Sequence, residues 1–306
     1  MSNVSSMAHN LVRDAQQLKP AILKLSIIIA THARPADLAR LLASLKPQID
    51  PARHQVLVAD NGTQELSPVP ETFGPLIHVY DPRPGKCRVQ NRAIAQANGE
   101  IIVCLDDDLT VAPAYVEAVD RFFAEHPEFA AMKGRVLPAS DPAQVAGTKA
   151  CYLDLPIADH GEHVIEVRGV LGANMAFRAN ALAKVGLFDE RLGPGAAGHE
   201  EETEMSARLR RAGFRIGYAP KALVIHSVDS ARADRARFIR VARERGRCRM
   251  LHERRFPAAL RLSHVIATCR LGLARALRAR SERIAREEKR LATIEGMLEG
   301  IRARRG

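Results

Sequence analysis

Gly99-Glu100-Ile101-Ile102-Val103-Cys104-Leu105-Asp106-Asp107-Asp108 decides the reading of this chain. A short apolar run that opens after Gly99 reads as a buried strand. Three carboxylates follow it without a break. At neutral pH they repel one another, so the arrangement is costly unless a cation or a bound ligand compensates it. A solvated acidic loop is the plain alternative, and the buried character of the preceding strand argues against it.

Upstream, the same strand-then-polar pattern recurs. Residues 25–30 form a strand candidate, and Pro35–Leu45 reads as a helix with proline in its first turn and Leu38, Leu41, Leu42 and Leu45 on one face. Residues 56–59 and 77–80 read as further strands, the first ending at Asp60-Asn61-Gly62. A Pro/Gly loop and a helix over 86–97 precede the strand 101–105. Polar groups therefore follow strand ends at 31–34, Asp60, 83–86 and the triple Asp. In an open α/β sheet that edge binds ligands.

Downstream, 164–167 and 174–177 read as strands, and the glycine-rich 193–198 reads as a flexible, lid-like loop. His199-Glu200-Glu201-Glu202-Thr203-Glu204 opens a helix expected to run to Arg211, with Gly213 as stop signal. Acidic residues suit a helix N-terminus, so capping is the plain account of that cluster, with Glu200 and Glu204 assigned to helix-start electrostatics or solvent. Residues 214–218 and 222–226 read as two short strands. From 231 onward the chain reads as helical with a break at Phe256-Pro257. Leu260, His264, Ala267, Leu271, Ala274 and Leu277 fall on one face, and Arg261 and Arg270 argue against a membrane span.

With 306 residues, 46% hydrophobic and 26% charged, the chain can bury a sizeable core. Its net charge of +11 is unevenly placed: from 231 onward 22 Arg and Lys face 8 Asp and Glu, a net of +14, which leaves 1–230 at −3. The basicity belongs to the C-terminal quarter. That quarter lacks interleaved aromatics, which argues against nucleic acid as a partner. An amphipathic basic helix is instead attracted to anionic headgroups, with a solvated appendage or an oligomerisation arm as the alternatives. Five cysteines without a C-x-x-C pair suit a reduced, cytoplasmic protein. The N-terminus has no apolar h-region and 22–30 is too short to span a bilayer. The expected location is cytoplasmic, with peripheral contact on the inner face of the plasma membrane through 231–306.

Taken together in order, these motifs resemble the family-2 glycosyltransferases, nucleotide-sugar-dependent enzymes of GT-A fold. Ser26-Ile27-Ile28-Ile29-Ala30-Thr31-His32-Ala33-Arg34-Pro35 is similar to the family's opening strand and turn, with His-Ala replacing the usual Tyr-Asn. Val58-Ala59-Asp60-Asn61-Gly62, the helix carrying Lys86 and Gln90-Asn91-Arg92-Ala93, and the D-x-D-like Asp106 to Asp108 match the donor half. Gly172-Ala173-Asn174, Gly186 to Glu190, Glu201 to Met205, Gly213 to Ile216 and His226 resemble the acceptor half. The expected architecture is thus a polar extension at 1–22, a GT-A domain at 23–230 and a basic helical extension at 231–306. Within the domain, a Rossmann-like donor half spans 23–110 and an acceptor half with mixed sheet spans 111–230.

The resemblance implies Mg²⁺ or Mn²⁺, a UDP-sugar donor and a saccharide or lipid-linked acceptor, in cell-surface polysaccharide or glycolipid synthesis. Asp108 is the expected direct metal ligand; Asp106 or Asp107 would contact ribose or metal-bound water, with Asp106 also a possible ligand. His226 would be a further ligand through a neutral imidazole, or else a hydrogen-bonded histidine at the core edge. Asp60 would accept a base N–H, although Asp-Asn-Gly also makes a good turn without a ligand. Thr31, Arg34, Lys86 and Asn91 complete the expected donor site, with Arg83 and Arg88 as lesser phosphate contacts. Gly172-Ala173-Asn174 would shape the sugar pocket. An inverting transferase needs one carboxylate to take the acceptor's proton; Glu202 is the expected base and Glu201 the fallback, with retention left open. The alternatives are a sugar nucleotidyltransferase, which would need a Gly-rich loop where Thr31-His32-Ala33-Arg34 stands, and a non-catalytic protein binding through its basic tail.

Overall fold

The computed structural model describes residues 24–66 and 76–304. The extension expected at 1–22 lies outside the described residues. In chain order, Leu25–Thr31 (β1), Pro35–Leu45 (α1), His54–Asp60 (β2), Leu76–Tyr80 (β3), Lys86–Ile94 (α2) and Ile101–Asp106 (β4) build the first half. Every residue of β1 is buried, as a central parallel strand covered on both faces requires. It lies parallel between β2 and β4, and β2 pairs in parallel with β3. The register sets Thr31 against Asp60 and Ala30 against Asp106, which aligns the polar strand ends along one edge.

The second half runs Leu109–Val111 (β5), Tyr115–Glu125 (α3), Phe129–Pro138 (β6), Pro142–Ala146 (α4), Ile165–Glu166 (β7), Asn174–Arg178 (β8), Ala179–Val185 (α5), Glu201–Arg211 (α6) and Arg215–His226 (β9). The strands form one mixed sheet in the order β3-β2-β1-β4-β8-β6-β9-β5, with β7 on β9. The two strands expected at 214–218 and 222–226 are a single β9. Its pairing with β6 jumps from Gly134↔Ala219 to Arg135↔Leu223, so Pro220 sits in a bulge. A bulge accommodates a residue that cannot donate to the ladder without ending the strand.

Alternation along the strands supplies both faces of the core. Ile27, Ile29, Val56 and Val103 pack with Leu38, Leu41 and Leu42 of α1 and with Tyr115, Val119 and Phe123 of α3. Ile28, Leu57 and Cys104 pack with Val89 and Ala93 of α2 and with Met205 and Leu209 of α6 on the other. Each fully buried leucine of α1 contributes about 1.5–3 kcal/mol.

Arg235–His252 (α7), Pro257–Ala276 (α8) and Ser281–Ala303 (α9) follow as a helical layer. α7 and α9 cross closely: a Cβ on Gly246 would run into the Thr293 carbonyl oxygen, and one on Gly296 into that of Arg243. Of the expected apolar face on α8, Leu260, Ala267, Leu271 and Ala274 are buried, whereas Leu277 lies past the helix end at 65% exposure. No helix among the described residues is long and apolar enough to cross a membrane. All five cysteines are free.

Candidate active site

Asp106 ends β4, and Asp107 and Asp108 form the turn into β5. Their negative charge is met from the neighbouring strand ends. The Thr31 hydroxyl donates to Asp107 Oδ2 at 2.7 Å. Arg34 Nη1 bridges Asp107 Oδ1 at 3.0 Å and Asp108 Oδ2 at 3.1 Å. Lys86 at the start of α2 donates to Asp106. Burial and the adjacent Asp108 and Asp106 still leave Asp107 raised above the usual carboxylate range, against the opposing pull of Thr31 and Arg34.

Asp108 faces a second cationic side. β5 pairs with the end of β9, Leu109 against His226, and this places His226 Nε2 at 3.4 Å from Asp108 Oδ1. His226 is 4% exposed, and its Nδ1 lies 2.6 Å from the Ser227 carbonyl oxygen. A carbonyl can only accept, so Nδ1 carries a proton, and Nε2 is the ring nitrogen that faces Asp108. Arg232 lies 3.6 Å from Asp108 Oδ2. Sequence reasoning grouped Arg232 with the solvated basic tail; only its position six residues after His226 hinted at a site role.

The donor-side turns are knitted by side chains with limited freedom. Asp60 accepts from the backbone N–H of Gly62 and of Leu66, both at 2.9 Å, and lies 3.2 Å from His78 Nε2, so the turn chemistry is present. Asn61 donates to the carbonyls of Asp81 and Arg83 at 2.7 Å and accepts from Gly85 N–H. Asp81, absent from the sequence reading, is buried and takes two hydrogen bonds from the Arg83 side chain, with Arg92 at 2.9 Å. The Arg83 hydrogen bonds lead in holding its carboxyl far below the ordinary range. Arg83 is thereby tied to Asp81, and Arg88 lies 3.3 Å from Glu190. Asn91 also turns away from the triple Asp: its amide brackets both backbone groups of Phe188, at 2.9 and 3.0 Å. Asn174 is fully buried between Tyr115 Oη and the carbonyls of Arg135 and Ala222, so it braces the sheet.

The acceptor-half glutamates reach this edge through the loop 193–198. Lys86 N–H donates to the Pro194 carbonyl at 2.8 Å, and a Cβ on Gly195 would meet the Gly85 backbone at 2.6 Å. The loop expected as a lid is pinned onto the start of α2. Glu201 is consequently 6% exposed and electrostatically coupled to Lys86, whereas Glu202 is half-buried. Burial first, then the Glu202 charge, push the Glu201 carboxyl well above its ordinary value. Burial alone would lower Lys86, but Asp106 and Glu201 more than offset it and keep the ammonium charged.

Glu200 and Glu204 are neither solvent-facing nor simple helix-start charges. Glu200 is 5% exposed and held by Arg249, with His252 at 3.6 Å. Burial opposes its ionisation, and the neighbouring His252 and the hydrogen-bonded Arg249 carry it below the usual value. Glu204 binds Arg208, whose guanidinium continues to the carbonyls of Val185, Gly186 and Leu187.

Among the described residues, no three His, Cys, Asp or Glu side chains gather around one point as a metal cage. The donor set present is the pair Asp108 and His226. A carboxylate and an imidazole nitrogen are groups that would hold a divalent cation.

A mixed α/β sheet with carboxylates at the β4 edge, faced by cationic groups and by a glutamate pair from a later helix, defines the glycosyltransferase class of GT-A fold. The chain belongs to glycosyl transferase family 2: it matches that family over residues 26–148 and the glycosyl transferase family group 2 over 101–279, more than half its length. It is similar to a glucosyl-dolichyl phosphate glucuronosyltransferase of Haloferax volcanii, 24% identical over 224 residues, 69% of this chain and 72% of that protein. An N-acetylglucosaminyltransferase of Rhizobium meliloti is 26% identical over 216 residues, 65% of this chain and 49% of that protein. Among solved structures, a mannosyltransferase from Pyrobaculum calidifontis in complex with GDP-Man and Mn²⁺ superposes with a TM-score of 0.58 at 15% identity, covering 96% of this chain and 94% of that one. That likeness is one of fold. The protein is a glycosyltransferase, which sets aside nucleotidyl transfer and a purely binding role.

Proposed function

We propose that this enzyme is a divalent-metal-dependent, inverting glycosyltransferase that moves a sugar from a nucleotide-sugar, a UDP-sugar on the family pattern of Asp60, to a hydroxyl of a saccharide or lipid-linked acceptor. The observation that carries the reading is the buried Asp108–His226 pair at the triple-Asp edge, with Nε2 and Oδ1 3.4 Å apart. Asp108 and His226 would hold Mg²⁺ or Mn²⁺, which offsets the charge that develops on the diphosphate as the glycosidic bond breaks. The Haloferax and Pyrobaculum proteins, named for a dolichyl phosphate sugar and solved with GDP-Man and Mn²⁺, support this class of substrate and cation.

This chain's residues divide the remaining work. Arg34 and Lys86, now paired with Asp107, Asp108 and Asp106, lie where the diphosphate would enter and can exchange carboxylate for phosphate oxygens. Asp60 orients the base, and Asp106 or Asp107 the ribose. Burial favours the neutral form of Glu201, and the half-buried Glu202 is the more accessible carboxylate of the pair. Glu202 takes the acceptor hydroxyl proton as that oxygen attacks the anomeric carbon, and the nucleoside diphosphate leaves from the opposite face. A lipid-linked acceptor would place the enzyme at the cytoplasmic face of a membrane, serving cell-surface polysaccharide or glycolipid synthesis. The domain limits 23–230 and 231–306 belong to the same reading.

A panel of UDP- and GDP-sugars assayed for slow hydrolysis with Mn²⁺, Mg²⁺ or chelator tests donor and metal together. Metal-dependent release of one nucleoside diphosphate is expected. Full transfer activity in both Asp108→Ala and Glu202→Gln would overturn the assignment.

A further inference from the structure

Among the described residues, the outward face of α8 has no partner. α8 packs on α9 through Leu260, Ala267, Leu271 and Ala274 and makes no comparable contact with the sheet layers. About 140° around the helix, by its 100° turn per residue, runs a second apolar stripe that the sequence reading did not separate from the first. Leu262, Ile266, Cys269, Leu273 and Leu277 recur at spacings of three or four, with Val265 beside them. All are exposed, Leu262 at 62% and Leu273 at 54%, and Phe256 at the helix entrance reaches 83%.

The surrounding charge is of one sign. From Arg254 to Arg280 the chain has seven arginines and no Asp or Glu. Arg270 and Arg275 turn inward to Glu287 and Glu288, and Arg255 pairs with Glu253. Arg254, Arg261, Arg278 and Arg280 have no carboxylate partner among the described residues. At the N-terminal end of the stripe a cavity of about 700 Å³ opens between Arg211, His252, Glu253, Arg254, Arg255 and Phe256, with the one acid there paired to Arg255. Pairing two copies through this face would bring like charges together, and no acid on the segment could relieve them. A surface that is negative and fluid satisfies both features at once, because apolar side chains enter the acyl boundary while arginines stay among headgroups.

We infer that α8 lies flat on an anionic lipid surface, with Phe256, Leu262, Ile266, Leu273 and Leu277 inserted and Arg254, Arg261, Arg278 and Arg280 among the phosphates. The inference stands independently of donor and acceptor chemistry.

The test uses full-length protein carrying an environment-sensitive dye on Cys269, in a Cys151→Ser background so that the label goes to the stripe. Vesicles of phosphatidylcholine alone and of phosphatidylcholine with phosphatidylglycerol are compared by co-sedimentation and emission. The expected result is salt-sensitive pelleting and a blue shift with phosphatidylglycerol only. A Leu262→Ser/Leu273→Ser/Leu277→Ser variant, altered only at exposed positions, is expected to keep its circular dichroism and bind about tenfold more weakly or worse. Arg261→Gln/Arg278→Gln/Arg280→Gln is expected to lose at least about tenfold as well. Absence of binding by the labelled parent, or unchanged binding by the leucine variant, overturns the inference. So does a dimer in sedimentation velocity that the leucine variant dissolves while neither protein binds vesicles.

Discussion

Arg249 holds Glu200 through two parallel hydrogen bonds, Nε to Oε2 and Nη2 to Oε1, each 2.9 Å. Glu200 has a positive φ of +78°, a strained value for a residue with a side chain, and the next two residues are Glu201 and Glu202. A guanidinium from the helical layer thus fixes the backbone from which the proposed base projects. Arg249→Met leaves the buried Glu200 carboxylate without its hydrogen-bonded partner, with only His252 beside it, and is expected to cost about 3 kcal/mol in stability. Among folded molecules kcat should fall more than KM for the donor, and Arg249→Lys should restore part of both. Thermal unfolding and steady-state kinetics of the three proteins check this.

Glu201 gives the protein a pH signature. Its folded carboxyl is raised by burial and by Glu202, so above its ordinary value the native state keeps a proton that the unfolded chain has lost. Stability then falls as pH rises through that window, because the native state binds more protons there. Glu201→Gln removes the ionisation and should flatten this part of the profile. Urea unfolding across acidic to mildly alkaline pH should show the variant gaining on wild type as pH rises.

Asp108 separates stability from activity. Three adjacent carboxylates are held by only a few cations, so Asp108→Asn relieves repulsion while loosening Arg34 and Arg232, and its stability should stay within about 0.5 kcal/mol of wild type. Transfer should fall by a factor on the order of a hundred or more, the scale of removing one electrostatic stabiliser. Manganese titration by calorimetry with nucleotide-sugar present should weaken in parallel.

Asn91→Ala should show the reverse. Its amide serves the Phe188 backbone, and leaving those buried groups unpaired costs about 1–3 kcal/mol. KM for the donor should be unchanged once measured on folded protein, because the side chain faces segment 188–190 and not the triple Asp.

The close crossing of α7 and α9 can be probed at Gly296. Alanine favours a helix over glycine by about 1 kcal/mol. Here the new methyl would meet the Arg243 carbonyl oxygen, and backbone cannot rotate away, so overpacking of about 1–3 kcal/mol should win. Gly296→Ala should lower the melting temperature, whereas Gly272→Ala, with open space around it, should raise it slightly.

Where periodicity was uninterrupted the sequence was explicit: Pro35–Leu45 has its expected bounds, and β1 and β4 each run one residue past theirs. Strand β6 was not legible because Lys133, Gly134 and Arg135 interrupt its apolar run, and Gly134 is there to admit Asn174. Pro220 made β9 look like two strands. At the site, Asp106 to Asp108, Thr31, Arg34, Lys86, Glu201 and His226 lie close together. Arg232 and Arg249 went unseen, since their partners lie tens of residues away and they carry no local pattern, and Asp81 because nothing in the sequence showed it buried beside Arg83 and Arg92. The second stripe of α8 was hidden for a different reason: leucine spacing reports an apolar face, not which face finds a neighbour.

The pairing of β5 with the end of β9 has a consequence for how the enzyme is made. Asp108 and His226 are over a hundred residues apart, and Arg232 comes later still. A chain emerging N-terminus first completes its acidic edge long before the imidazole and guanidinium that face it exist. The proposed donor and cation affinity is therefore expected to arrive late in synthesis, once residues 226–232 have joined the acidic edge.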